Sequence, residues 1–142
     1  MSLTGANAVF MLGITDVFDV PQQLQGYAAD DAFAAEPVET TEISMGVDGR
    51  MGAGFVFVPY RMRIILQADS DSNDLFDDWD AAQRITRQVF RATGIVIMLD
   101  LGKKWTLARG VLSSHIPIPG VKKLLQPRNY AITWESISPA LP

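Results

Sequence analysis

Few residues of this 142-residue chain have the types and spacing that chemistry demands. Asp69, Asp71, Asn73 and Asp80 fall at positions 1, 3, 5 and 12 of a calcium-loop pattern. However, Asp74 occupies the place of the glycine that makes the loop's sharp turn, and position 12 lacks the bidentate Glu. The same acids are better placed to cap a helix and to charge its first turn. Ser113, Ser114 and His115 pair hydroxyls with an imidazole, but neighbours on a strand point to opposite faces and no strand-turn-helix elbow surrounds them. The adjacent carboxylates Asp30–Asp31 and Asp77–Asp78 do not face one another across a cleft, as acid and base must. Gly49, Gly52 and Gly54 are not in phosphate-binding order and precede no helix. Phe55, Phe57 and Tyr60 with Arg61 and Arg63 mimic a single-strand nucleic-acid surface, yet the strand before them is acidic. With no cysteine and one histidine, thiolate and two-imidazole metal sites are excluded. The expectation is no catalytic site, no cofactor and no metal.

The elements that carry these residues read as mainly β. A hairpin is expected over residues 38–67, with a first arm Val38–Met45, a glycine-rich link Gly46–Gly54 and a second arm Phe55–Leu66. Asp48-Gly49 supplies the positive φ that tight hairpins require. At roughly 3.3 Å per residue, an arm of about twelve residues reaches about 40 Å and must project beyond the core. Such exposed strands pair with other chains. Upstream, residues 1–14 read as a terminal arm or edge strand, Asp16–Val20 as a strand stopped by Pro21, and Leu24–Tyr27 as the start of another.

Downstream, Leu75, Phe76, Trp79, Ala82, Thr86, Val89 and Phe90 form one stripe at helical spacing, predicting a helix over 73–90 capped by Asp71 or Ser72, with Gly94 as its stop. Leu75, Phe76 and Trp79 are its core anchors. Strands follow at Ile95–Leu101, Trp105–Leu112 and Arg128–Ile137, the last with Tyr130, Ile132 and Trp134 on one face. Gly102-Lys103-Lys104 links the first two, and residues 116–127 form a loop excursion. The total is about seven strands and one helix, an antiparallel β-sandwich or half-barrel in a single domain over 1–142, with a long projecting hairpin.

A net charge of −4 argues against electrostatic capture of nucleic acid. The N-terminus lacks the basic start of a signal peptide, and no apolar run approaches the ~20 residues of a membrane span. The chain is therefore expected to be soluble, made in the cytoplasm and not inserted in a membrane. Asp30, Asp31, Glu36, Glu39 and Glu42 follow one another without a Lys or Arg, a surface suited to repelling a polyanion.

The order Leu24-Gln25-Gly26-Tyr27, Asp30-Asp31, Gly46-Val47-Asp48-Gly49, Ile64-Ile65-Leu66-Gln67 and Ser70-Asp71-Ser72-Asn73-Asp74-Leu75 resembles phage tail tube proteins of contractile-tailed phages and related injection machines. The likeness spans Val17 to Trp105; the first thirteen residues and Ile116–Pro127 depart from it. The resemblance implies a structural virion protein made in the bacterial cytoplasm, six copies per ring, and rings stacked into a hollow conduit for double-stranded DNA without sequence-specific contacts. It further implies sheath, tape-measure and baseplate proteins as partners. Residues expected at the lumen or the interfaces are Glu36, Glu39, Glu42, Asp48, Gly49, Arg50, Arg61 and Arg63. The major tube subunit is the leading reading, a tube-like baseplate or terminator ring protein is the alternative within the same machinery, and a β-sandwich sugar- or peptide-binding module is the alternative from another class.

Overall fold

A computed structural model of the chain describes residues 8–27 and 32–140. Along these the chain forms ten strands and one helix. The strands are β1 Ala8–Ile14, β2 Phe18–Gln23, β3 Phe33–Ala35, β4 Thr41–Met45, β5 Met51–Phe55, β6 Tyr60–Leu66, β7 Ala92–Met98, β8 Lys103–His115, β9 Arg128–Trp134 and β10 Ser136–Ala140, and the helix α1 is Asn73–Thr86. The expected acidic pair Asp30–Asp31 and the first seven residues lie outside the described residues.

Eight strands form one antiparallel sheet in the order β2-β1-β7-β8-β9-β6-β3, with β10 also on β8. β9 and β10 run as one line along β8: Val111 faces Thr133, and three residues on, Ala108 faces Ser136. The sheet curls without closing into a barrel. Its two sides nonetheless approach, because the Phe10 ring of β1, one strand in from the β2 end, stands edge-on to Phe33 of β3, the other end, at 5.3 Å. The segment after β2 ties the sides together. Leu24 N–H donates to Phe10 O on one side, and Tyr27 bridges Leu66 on the other.

Alternation then fills the interior. Phe10, Leu12 and Ile14, Met62, Ile64 and Leu66, and Tyr130, Ile132 and Trp134 all point inward at every second position. The helix closes the core with Leu75, Phe76 and Trp79, as its spacing predicts. Phe76 stacks on Tyr130 at 4.0 Å, and Trp79 Nε1–H donates to Phe90 O.

Several boundaries differ from expectation. β1 is an interior strand between β2 and β7, not an arm or an edge, because Phe10, Leu12 and Ile14 supply a buried face. Pro21 does not stop β2 but sits within it, which an outermost strand tolerates because one row of its N–H groups needs no partner. The helix ends at Thr86, with Arg87 in the left-handed conformation, so Val89 and Phe90 lie beyond it. Gly94, expected as the stop, is a residue of β7. Neither Asp71 nor Ser72 caps the helix through its side chain: Ser72 Oγ accepts from Gln25 N–H instead. The second hairpin arm breaks after Phe55, and β6 begins only after Pro59, which carries no N–H for a ladder. The projecting hairpin is therefore β4–β5 alone.

Candidate assembly surface

β4 and β5 pair only with each other among the described strands, and every residue in both is exposed. The turn between them is tight: Gly49 has φ 84° and donates to Gly46 O, Gly46 N–H donates to Arg50 O, and Asp48 Oδ1 accepts from Arg50 N–H. Cross-strand register gives the ribbon two unlike faces. Ile43 opposes Ala53, Met45 opposes Met51 and Thr41 opposes Phe55, whereas Glu42 and Ser44 oppose Gly54 and Gly52 on the other side. The four large apolar residues are 61% to 70% exposed. At the root, Phe57 is 94% exposed and stands edge-on to Phe55 at 5.0 Å. An apolar ribbon face of this kind marks an interaction site in a folded chain. The alternation of Ile43 with Met45 and of Met51 with Phe55 was legible, but on its own it reads as core.

The candidate site residues fall into separate groups. Glu36, Arg61 and Arg63 are brought together beside the sheet: Arg61 Nη1–H donates to Glu36 Oε1 at 3.1 Å, and Arg63 Nε lies 3.9 Å from the same oxygen. Asp48, Gly49 and Arg50 form the hairpin tip. Glu39 precedes β4 and Glu42 lies within it. The acidic run is thus not one strand face, and Glu36 is offset by two guanidiniums. Asp69, Asp71, Asn73 and Asp80 do not converge either. Asp80 pairs with Arg84 one turn further along the helix, and among the described residues no His, Cys, Asp and Glu group could hold a metal. Ser113 Oγ donates to Ala131 O, while His115 Nε2 lies 3.5 Å from Asp80 Oδ2.

A polar network, not anticipated from sequence, fixes the helix and the 116–127 excursion relative to the sheet. Arg128, 5% exposed, forms a bidentate pair with Asp77 at 2.7 and 3.1 Å and donates to Ile116 O and Pro117 O. Its hydrogen bond to Asp77 holds the guanidinium's pKa above its ordinary value, against the opposing effect of burial. Beside it, Tyr130 O–H donates to Asn73 Oδ1, and Asn73 Nδ2–H donates to Gln67 O and Ser70 O. Burial pushes the Tyr130 phenol pKa upward. The helix start is therefore held by the buried Asn73 side chain, where a cap at residue 71 or 72 was expected.

Fold and surface together define a class: a mainly antiparallel β domain with one helix and a projecting apolar ribbon that has no partner among the described strands. The chain belongs to the tail fiber protein gp32 family, whose model matches residues 1–138. No curated protein matches it in sequence. Among solved structures, it is similar to a chain of an anti-feeding prophage baseplate, at TM-score 0.68 and 11% identity, covering 99% of this chain and 98% of that one. It is also similar to a chain from a sheath/tube terminator of an extracellular contractile injection system, with TM-score 0.67 and 10% identity over 99% and 97% of the two chains. A chain from the tube-terminating cap of the anti-feeding prophage aligns at TM-score 0.65 and 9% identity, over 100% and 93%. These likenesses concern the fold.

Proposed function

We propose that the chain is a structural subunit that forms a discrete ring at an end of a phage-type contractile tail, and is not the polymerising tube subunit. The observation that carries this reading is the near end-to-end match to chains of terminator, cap and baseplate assemblies. A chain from a sheath–tube complex aligns less fully, at TM-score 0.59 over 88% of its length. The exposed β4–β5 ribbon supports self-association, since a surface this apolar is costly to leave in water. On this reading six copies encircle the tail axis, sheath, tube and baseplate proteins are the neighbours, double-stranded DNA passes without sequence-specific contact, and the chain performs no catalysis. Its place is in the particle.

Negative-stain microscopy of the purified protein across a concentration series tests the proposal. Discrete rings with a central opening are expected. Long stacked tubes would return the reading to the tube subunit, and monomers at every concentration would favour a binding module.

A further inference from the structure

Resting on that ring-forming reading, we infer that the apolar face of the β4–β5 ribbon seats in an apolar hollow of a second copy of this chain. The hollow lies at the open end of the curled sheet, between β3, β6, β7, β8 and β10. It encloses about 220 Å³, and Phe33, Ala35, Met62, Met98, Trp105 and Ile137 are among a lining that is apolar throughout. A dry cavity of about 150 Å³ already holds a benzene ring. This one therefore has room for a Met or Ile side chain, and the thioether of Met adapts to an irregular wall. Ala34 and Ala35 lie exposed at its rim, so a side chain can enter without the core opening.

Charge selects the same pairing. Along β8, Lys103, Trp105 and Leu107 share a face, and the exposed Lys103 stands opposite Met98 on the strand pair that walls the hollow. The ribbon segment brings Glu39, which precedes β4 in the alternation of Thr41, Ile43 and Met45, whereas Glu42 lies on the other face. Neither Lys103 nor Glu39 has an ion-pair partner among the described residues. Among the described residues, ribbon and hollow are thus each unfilled within one chain and complementary between two. Because they are different surfaces, the contact is heterologous: each copy gives its ribbon to one neighbour and its hollow to another, and successive contacts close a ring if the rotation allows.

The chain has no cysteine, so engineered thiols report without background. Single variants Ala35→Cys and Met45→Cys, mixed and mildly oxidised, are expected to give the mixed disulfide dimer as the main product. The double variant is expected to give a ladder of covalent oligomers. Ala35→Trp, which fills the hollow from its rim, is expected to abolish the rings with an unchanged circular dichroism spectrum. Lys103→Glu is expected to raise the concentration needed for assembly several-fold at low salt, and less as salt screens the pair. Rings without the mixed disulfide, or only the Met45→Cys homodimer, would overturn the ribbon-in-hollow contact and leave the ring reading standing. The mixed disulfide without rings would uphold the contact and overturn ring closure. Neither rings nor disulfide would overturn both.

Discussion

The indole of Trp134 lies across Gly110 so closely that a Cβ built on the glycine would stand 2.5 Å from Cε3 and 2.6 Å from Cζ3. Gly94 meets the same ring from β7, where a Cβ would lie 3.0 Å from Cη2. Trp134 is fully buried, so its ring has nowhere to retreat. Gly110→Ala is therefore expected to destabilise the fold by about 1–3 kcal/mol through overpacking. Gly54→Ala, where a Cβ meets open space, should change stability by less than about 0.5 kcal/mol. Urea unfolding of the two variants measures the contrast.

Trp79 is fully buried between helix and sheet and donates to Phe90 O, the residue that follows the helix's left-handed end by three positions. Trp79→Ala is expected to cost about 3–5 kcal/mol, from the cavity left and the carbonyl stranded. Chemical denaturation followed by circular dichroism checks the value; a loss below about 1 kcal/mol would contradict the burial.

Asp77 is the only carboxylate paired with Arg128 among the described residues, and its own side chain is about half exposed. Asp77→Ala is expected to cost about 1.5–3 kcal/mol, the usual range for a hydrogen bond to a charged group. Hydrogen exchange should show the loss locally, with faster exchange over α1 and the 116–127 excursion than over β1 and β7. Uniform acceleration would mean that Arg128 does not hold these segments in particular.

The Tyr27 hydroxyl is buried without a hydrogen-bond partner among the described residues, and burial pushes its pKa upward, as it does for Tyr130. Below about pH 10 the phenol is protonated in both the folded and the unfolded chain. Above that pH only the unfolded chain readily releases the proton, so stability falls as pH rises. Tyr27→Phe is expected to leave stability at pH 7 within about 1 kcal/mol of the parent and to shift alkaline unfolding to higher pH. Thermal melts between pH 7 and pH 11 decide this.

Periodicity made the helix anchors Leu75, Phe76 and Trp79 and the inward face of Tyr130, Ile132 and Trp134 readable, since both depend on spacing within one element. The length of the hairpin did not follow from spacing. Val56, Phe57 and Val58 are as strand-forming as their neighbours, and the break there arises where β6 is drawn into a sheet by β9 and β3, partners remote in sequence. For the same reason β1 read as an arm, because its partner β7 lies beyond the helix. The grouping of the surface residues was not legible: Glu36 belongs with Arg61 and Arg63, and its hydrogen bond with Arg61 spans 25 positions. Arg128 carried no local signal, as its role depends on Asp77, 51 positions away.

The pairing of β1 with β7 also orders events during synthesis. Phe10 leaves the ribosome long before its partner Val96, and at about 5–20 residues per second the interval is roughly 4–17 s. Through that time Phe10, Leu12 and Ile14 have only the neighbouring strand β2 to pair with, and no β7 on their other side. Non-local strands register slowly because the intervening loop must close before the pairing can stabilise it. The nascent chain thus spends seconds as a sticky amphipathic thread, and the hollow at the open end of the sheet, walled by β7, β8 and β10, takes shape only once almost the whole chain is out.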